Sequence, residues 1–206
     1  MKSVLISIQP KWVEKICHEI GKENGKPIYE KVVEVRKSRS KLETPFKCYI
    51  YQTKKFVPVD ITDGANKYRP FLRQNQGKVI GEFICDRITD ISVVVRNCNE
   101  NYNEVYHNDE CKGSCLTWKE LQEYGKGKPL YGWHIRNLKI YDEPKELSEF
   151  YSAKWDMPCE HKKSGFNMDF CMAYENGSHF CKELVCDKKR LTRPPQSWCY
   201  VESLGE

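Results

Sequence analysis

The sequence predicts an α+β domain built on a small, curved or barrelled β-sheet. Apolar runs of strand length recur along the 206 residues, two short stretches have helical spacing, and the last apolar run follows a cysteine-rich stretch. Apolar residues make up 39% of the chain, which is enough for a globular core. No apolar run is long enough to cross a bilayer, and the first residues lack the long apolar segment of a signal peptide. We therefore expect a soluble, cytoplasmic protein.

The first third of the chain predicts the order β-α-β-β. Residues 2–8 alternate between apolar and polar side chains, as a half-buried strand does. Pro10 suits the first turn of a helix, which we expect to end at Gly21, and the polar stretch GKENGKPIY reads as a loop. Two further strands are predicted over 31–37 and 46–52, and residues 53–76 form an irregular excursion without a clear period. The apolar residues that indicate the helix are Trp12, Val13, Ile16 and Ile20.

The rest of the chain predicts more strands and one short helix. Residues 77–95 are strand-like but too long for one straight strand, so a bend or two strands are expected. Residues 97–113 read as a polar loop. Thr117 and Glu120 form a capping-box pattern that begins a helix ending at Tyr124, before Gly125. Further strands are predicted over 131–141 and 197–202, with a helical turn between 142 and 150.

The cysteine-rich stretch, residues 151–189, is poor in aliphatic side chains and precedes the last predicted strand. It therefore reads as an insertion in the domain and not as a detached tail. The predicted organisation is a barrel domain over 1–150 that is completed by 190–206, with residues 151–189 as the insertion.

The strand over 31–37 carries a charged pattern. Glu34 and Arg36 share one face, because alternate residues of a strand point the same way. Lys31 is out of step and joins them only from the strand edge or from a bulge. An arginine grips a phosphate or a base edge bidentately, and a glutamate can orient cations or act as a general base. The alternative is an exposed Glu–Arg pair that contributes little.

Several segments together resemble the ASCH domain, a member of the PUA-like superfamily. SIQPKWVEKI followed by EKVVEVRK is similar to its pattern Gly-x-Lys-x-x-Glu-x-Arg. Lys31, Glu34 and Arg36 match the three charged positions, while Tyr29 stands at the glycine position. The pieces GKVIGEF, YGWHI, LKIYDEPKEL and RPPQSWCYVE resemble phage- and prophage-encoded ASCH proteins of bacteria. The resemblance implies a PUA-like β-barrel with flanking helices, a cleft for RNA, DNA or nucleotides, and a bacterial host cytoplasm.

The resemblance also implies possible activities. One branch of the family removes the acetyl group of N4-acetylcytidine, and ribonuclease activity has been proposed for another. In the amidohydrolase branch a threonine thought to be the nucleophile stands where this chain has Glu34. Our leading hypothesis is therefore nucleic-acid or nucleotide binding in a basic cleft, with RNA favoured. The alternative is a hydrolase on RNA or a modified nucleoside, with Lys31, Glu34 and Arg36 catalytic. A third hypothesis is a phage accessory protein that binds a host protein.

Other side chains are candidates for ligand contact, each with a structural alternative. Ser7 and Gln9 end the first strand next to a helix N-terminus, although Ser7 alone reads as a turn residue. A tryptophan at 133 would stack on a base or fill the core, and a lone histidine is more often structural. The net charge of +5 permits a polyanionic partner without requiring one. The remaining candidates are Lys37, Arg39 and Lys41 as a positive rim, Trp133 and His134 in a strand, and Gln196 and Trp198 at a proline-stiffened corner.

The eleven cysteines favour metal binding over disulfides, because their number is odd and no secretory signal is visible. Four thiolates would satisfy Zn²⁺ and stabilise a segment that cannot form its own core, so the ion would be structural. The alternative is reduced cysteines in a flexible insert. Cys111 and Cys115 are further possible ligands. The predicted ligands are Cys159, Cys171, Cys181 and Cys186, with His161 or His179 as substitutes.

Overall fold

The computed structural model describes residues 2–54, 67–91, 93–99, 102–107, 109–153 and 189–204. These residues form a mixed α+β fold with several sheets and few helices. One sheet has seven strands, a second has three, and two hairpins form sheets of their own. The predicted fold class is confirmed at this level.

The elements follow one another with short connections. The first part contains β1 (Lys2–Ile8), α1 (Pro10–Cys17), β2 (Glu19–Glu23), β3 (Lys26–Tyr29), β4 (Val33–Arg36), β5 (Phe46–Gln52), α2 (Arg69–Gln74), β6 (Val79–Cys85) and β7 (Ile88–Ile91). The second part contains β8 (Val93–Asn99), β9 (Tyr102–His107), α3 (Asp109–Gly113), α4 (Trp118–Gly125), β10 (Leu130–His134), β11 (Arg136–Lys145), a 3-10 turn (Leu147–Glu149), β12 (Tyr151–Ser152), β13 (Lys189–Arg190) and β14 (Trp198–Glu202).

The large sheet has β1 near its middle, in the order β11-β6-β5-β1-β14-β12-β13. β1 runs parallel to β5 and antiparallel to β14. Its residues Val4, Ile6 and Ile8 pack with α1 and with Trp133 of β10 in the main core. β10 lies between β4 and β7 in the three-stranded sheet. No ladder joins the edges β11 and β13 among the described strands, so a closed barrel stays a prediction.

Several elements have the predicted bounds. β1 and β5 match the two apolar runs, and α4 begins after Thr117, whose side chain and that of Glu120 form the predicted capping box. α1 is shorter than predicted, because it ends at Cys17 and Ile20 is 59% exposed on β2. The loop expected there is the β2–β3 hairpin. Its turn residues Asn24 and Gly25 have φ angles of 49° and 76°, the left-handed conformations that an Asn-Gly hairpin turn requires.

The other differences are breaks between strands, and further strands and helices, that the hydrophobic pattern alone does not reveal. The strand predicted over 131–141 is two strands in different sheets, since β10 pairs with β4 and β11 pairs with β6. The segment 77–95 contains β6, β7 and the start of β8, so it is divided twice. Residues 97–113, predicted as a loop, carry β9 and α3, and α2 lies inside the irregular excursion.

The two ends of the cysteine-rich segment lie side by side. β12 pairs with β13, with Tyr151 opposite Arg190, and β12 also contacts β14. Residues 154–188 are outside the described residues, so the domain boundaries and the insertion stay predictions. No helix in the described part of the chain is long and apolar enough to cross a membrane.

Candidate functional site

A cleft of about 800 Å³ opens where the two sheets meet helices α1 and α4. Its walls come from the end of β1, the start of α1, the residues from Leu116 into α4, and the turn Pro194 to Ser197 before β14. The charged residues of the floor are Lys31, before β4, and Glu34 and Arg36 on β4. The turn is fixed to β1, because the Ser7 hydroxyl donates to the Pro195 carbonyl oxygen at 2.7 Å and the Ser7 N–H donates to Ser197.

The structure brings the three charged residues of the predicted motif together on this floor. The Glu34 carboxylate lies between two cations, with Oε1 at 3.1 Å from Arg36 Nη2 and Oε2 at 3.4 Å from Lys31 Nζ. All four residues of β4 are buried, so the pair is not the exposed ion pair of the alternative interpretation. Two cations against one carboxylate give the triad a formal charge of +1.

Lys31 is engaged by the protein and is 1% exposed. Its ammonium donates to the carbonyl oxygens of Val33 at 2.7 Å and Ser114 at 2.6 Å, in addition to the ion pair with Glu34. A lysine has three N–H donors, and the two carbonyl oxygens engage two of them while the ammonium also faces the Glu34 carboxylate. Burial lowers the pKa of Lys31, and the Glu34 carboxylate opposes part of that shift. This burial and these contacts favour a role of Lys31 in positioning Glu34 over direct contact with a ligand.

Arg36 and Glu34 retain hydrogen-bonding capacity. Arg36 Nη2 donates to the Ser7 carbonyl oxygen at 2.8 Å, but Arg36 Nε has no acceptor. Glu34 Oε2 has its ion-pair contact with Lys31 and no hydrogen bond. A buried polar atom without a hydrogen bond costs about 1–3 kcal/mol. Both atoms have almost no exposed area, so a buried water would supply these bonds more readily than a ligand in the cleft.

The other predicted site residues divide between the cleft and its surroundings. Ser7, Gln9 and Gln196 line the cleft. Trp133 is fully buried and packs edge-on against Phe46 at 5.6 Å, which favours its alternative as a core residue. The others lie outside the lining. His134 contacts Arg87 and Thr89, Trp198 donates to the Ser38 hydroxyl, and Lys37 and Arg39 are exposed.

Sequence reasoning missed two parts of the wall. Trp12, whose helical spacing predicts a core residue, packs against the main core and also lines the cleft, with Lys11 Nζ at 4.2 Å and Lys31 Nζ at 5.3 Å from its ring centroid. α4 contributes Glu120, Glu123 and Tyr124. The capping box predicted that helix, but nothing local in the sequence indicates which residues it faces.

The lining of the cleft is balanced in formal charge. Three cations (Lys11, Lys31 and Arg36) stand against three carboxylates (Glu34, Glu120 and Glu123). Among the described residues, the lining thus lacks the net positive charge expected of a basic cleft.

The predicted zinc ligands are not among the described residues. Cys159, Cys171, Cys181, Cys186, His161 and His179 all fall within 154–188. In the part of the chain that the structure describes, no three His, Cys, Asp or Glu side chains converge as a metal site would need. Cys111 is buried and Cys115 is half-buried, with its Sγ donating to the Glu30 carbonyl oxygen at 3.1 Å.

Comparisons with known proteins identify structural neighbours only. No protein-family model and no curated protein matches the sequence. The fold is similar to the ASCH protein of Zymomonas mobilis, with a TM-score of 0.48 and 14% identity over 97% of this chain and 87% of that one. Two variants of the same protein give 0.46 at 13% identity (97% and 88% covered) and 0.41 at 17% identity (71% and 77% covered). The structural neighbours are thus ASCH-domain proteins.

Proposed function

We propose that this chain is an ASCH-domain protein that binds a nucleotide in the cleft, either free or as one unit of a nucleic acid. The observation that carries the proposal is the largely buried Glu34–Arg36 pair on the cleft floor, in which Oε1 and Nη2 are 3.1 Å apart and both residues line the cleft. The edge of a nucleobase presents a donor and an acceptor close together, so it can meet a carboxylate and a guanidinium at once. RNA is the favoured polymer, because the sequence resembles a family with RNA-directed activities.

The size and walls of the cleft support a nucleotide-sized ligand. A volume of about 800 Å³ lies within the usual range of small-molecule sites. Trp12 of α1 and Tyr124 of α4 line the cleft, and aromatic rings are groups on which a base can stack. The formal charges of the lining cancel, which favours a largely neutral group in the cleft over a cluster of phosphates.

The proposal is tested by titrating the full chain with nucleosides and with labelled single- and double-stranded RNA and DNA. Arg36→Met removes the guanidinium and leaves Lys31 paired with Glu34, so we expect at least a tenfold loss of affinity without unfolding. Arg136→Met is the matched control, because Arg136 also pairs with a carboxylate, Asp86 at 3.2 Å, but is 70% exposed and outside the cleft. Wild-type affinity in Arg36→Met would contradict the proposal. Failure of every nucleoside and nucleic acid to bind would favour the host-protein hypothesis.

A hydrolase is the second candidate, and the position of Glu34 favours it. A carboxylate that lines the cleft can hold and deprotonate a water, while Arg36, at 3.1 Å from Glu34 Oε1, stabilises developing negative charge. A base of this kind would replace the nucleophilic threonine of the amidohydrolase branch. Glu34→Asp keeps the negative charge but moves the carboxylate away from the bound water by one methylene. An enzyme should therefore lose turnover while it still binds its substrate. Denaturing gels of RNA and hydrolysis of N4-acetylcytidine measure this, and absence of product with wild-type protein would exclude both of these reactions.

We also propose that residues 154–188 bind one structural Zn²⁺ through Cys159, Cys171, Cys181 and Cys186. The support is the supply of four thiols in a segment with few aliphatic residues. Elemental analysis of purified protein should give one zinc per chain, and a Cys181→Ser/Cys186→Ser variant should lose it. A cytoplasmic location in a bacterial host and a phage or prophage origin remain parts of this proposal.

A further inference from the structure

The segment Lys37 to Lys41, here called the ledge, leaves the cleft floor directly after Arg36. It has the sequence KSRSK, and its three cations are exposed. None of the three has a carboxylate within ion-pair distance among the described residues, whereas the cations of the floor are both paired. The ledge is therefore a place next to the cleft where no carboxylate of the described residues pairs with the positive charge.

Aromatic side chains hold the ledge in one conformation. Trp198 Nε1 donates to the Ser38 hydroxyl at 3.0 Å, and the Lys41 N–H donates to the Tyr200 hydroxyl at 2.7 Å. Arg39 donates to the Ile88 carbonyl oxygen at 3.0 Å and lies 5.5 Å from the Tyr131 ring centroid. A guanidinium has five donors, so most of those of Arg39 remain available. A cationic segment that is already ordered loses little entropy when it binds an anion.

The first cation of the ledge connects it to the cleft. Lys37 Nζ lies 4.8 Å from the ring centroid of Tyr124, and that ring lines the cleft. Arg36, which precedes Lys37, is on the cleft floor. A group bound in the cleft and an anion bound on the ledge are thus adjacent along one continuous surface.

We infer that the cleft and the ledge bind two parts of one ligand. The cleft receives a base, and the ledge binds the phosphates of the strand that carries this base. The ligand is then a single-stranded polynucleotide and not a free nucleotide. This inference rests on the proposed function. Its basis is the contrast between a lining in which three cations meet three carboxylates and a ledge whose three cations have no ion-pair partner among the described residues. A free nucleoside triphosphate would bring several negative charges into a lining with no net charge, whereas a strand places its phosphates outside.

The test uses the full chain, a nucleoside, a nucleoside triphosphate and single-stranded 9-mers of RNA and DNA over a salt series. The ledge variant is Lys37→Gln/Arg39→Gln/Lys41→Gln. Each phosphate contact on a single strand contributes about 0.7 to the slope of log affinity against log salt, so three contacts contribute about 2. We expect the ledge variant to lose that slope and roughly tenfold or more in 9-mer affinity at 0.1 M salt, with nucleoside affinity unchanged.

Controls separate this inference from the proposed function. Lys22→Gln/Lys26→Gln/Lys139→Gln removes three exposed charges on the β2–β3 hairpin and on β11, outside the cleft, and should keep the wild-type slope. A wild-type slope in the ledge variant, or a triphosphate that binds as tightly as the 9-mer, overturns the inference and leaves nucleotide binding intact. If Arg36→Met binds like wild type, or nothing binds, the proposed function fails and the inference with it.

Discussion

Glu34→Gln should destabilise the fold strongly, because it leaves two buried cations without their anion. The triad changes from a formal charge of +1 to +2, while Lys31 and Arg36 remain buried. Breaking a buried ion pair by removing one partner costs about 3–5 kcal/mol. A domain of this kind is stable by only about 5–15 kcal/mol, so the substitution should remove a large part of the stability although glutamine has nearly the same shape.

The loss of stability caused by Glu34→Gln should become smaller as the pH rises. Burial already lowers the pKa of Lys31 below its ordinary value of 10.5, and Glu34 opposes that shift. Without the carboxylate the folded-state pKa falls further, so the unfolded chain binds more protons between that pKa and the unfolded value. Stability then rises with pH across this window. The deficit of Glu34→Gln relative to wild type should therefore shrink as the pH is raised from 7 towards 10.

Urea unfolding followed by circular dichroism measures both effects. At a slope near 2 kcal/mol per molar urea, the midpoint at pH 7 should fall by about 2 M. Glu146→Gln is the matched control, since Glu146 pairs with Lys78 at 3.1 Å but the two side chains are 60% and 37% exposed. It should change stability by less than about 1 kcal/mol. Lys31→Met/Glu34→Gln should regain at least about 1 kcal/mol over Glu34→Gln. A Glu34→Gln deficit below about 1 kcal/mol, or one that does not change with pH, would refute the reasoning.

Three further predictions concern packing, capping and acid stability. Gly81→Ala should cost about 1–3 kcal/mol in urea unfolding, because its Cβ would overlap the Lys139 carbonyl oxygen, whereas Gly21→Ala, with no atom within 4 Å, should not show that loss. Thr117→Ala removes the α4 capping box and should lower stability by about 1 kcal/mol, which a thermal melt would detect; an unchanged melting temperature would contradict it. Burial by itself would raise the pKa of the Glu30 carboxyl, but hydrogen bonds from Lys15 and His18 outweigh burial, so the pKa lies below its ordinary value of 4.5. Its stabilisation should therefore be present above that pH and lost as the pH falls, so Glu30→Gln should flatten the acid limb of the stability curve.

The parts of the fold that the sequence predicted are those with strong local signals. The alternation of β1, the apolar run of β5 and the capping box of α4 each specify an element without reference to distant residues. Breaks between strands were missed where the apolar pattern continues across a change of sheet, as between β10 and β11. The β2–β3 hairpin had a local signal in Asn24-Gly25, which we interpreted as a loop because the flanking residues are polar.

The candidate site was predicted in its residue types but not in its geometry. The motif indicated that Lys31, Glu34 and Arg36 act together, and they do lie on one floor. Alternation along β4 predicts one exposed face, whereas both faces are covered. The cover comes from residues far away in sequence. Ser114, which accepts from the Lys31 ammonium, is 83 positions away, and the Ser197 wall is more distant still. Contacts of this separation leave no local trace in the sequence.

Arg36 is the residue of the triad whose loss best separates ligand binding from folding. Removing Lys31 leaves the Val33 and Ser114 carbonyl oxygens without the donor that fixes the loop before α4, so the cleft wall changes with the charge. Removing the Glu34 charge leaves two like charges in the interior. Arg36→Met leaves Lys31 and Glu34 as a neutral buried pair, and the two acceptors that lose a contact, Glu34 Oε1 and the Ser7 carbonyl oxygen, belong to residues that line the cleft. A loss of function in variants of the first two residues therefore reports on the whole floor, whereas a loss in Arg36→Met reports on the ligand.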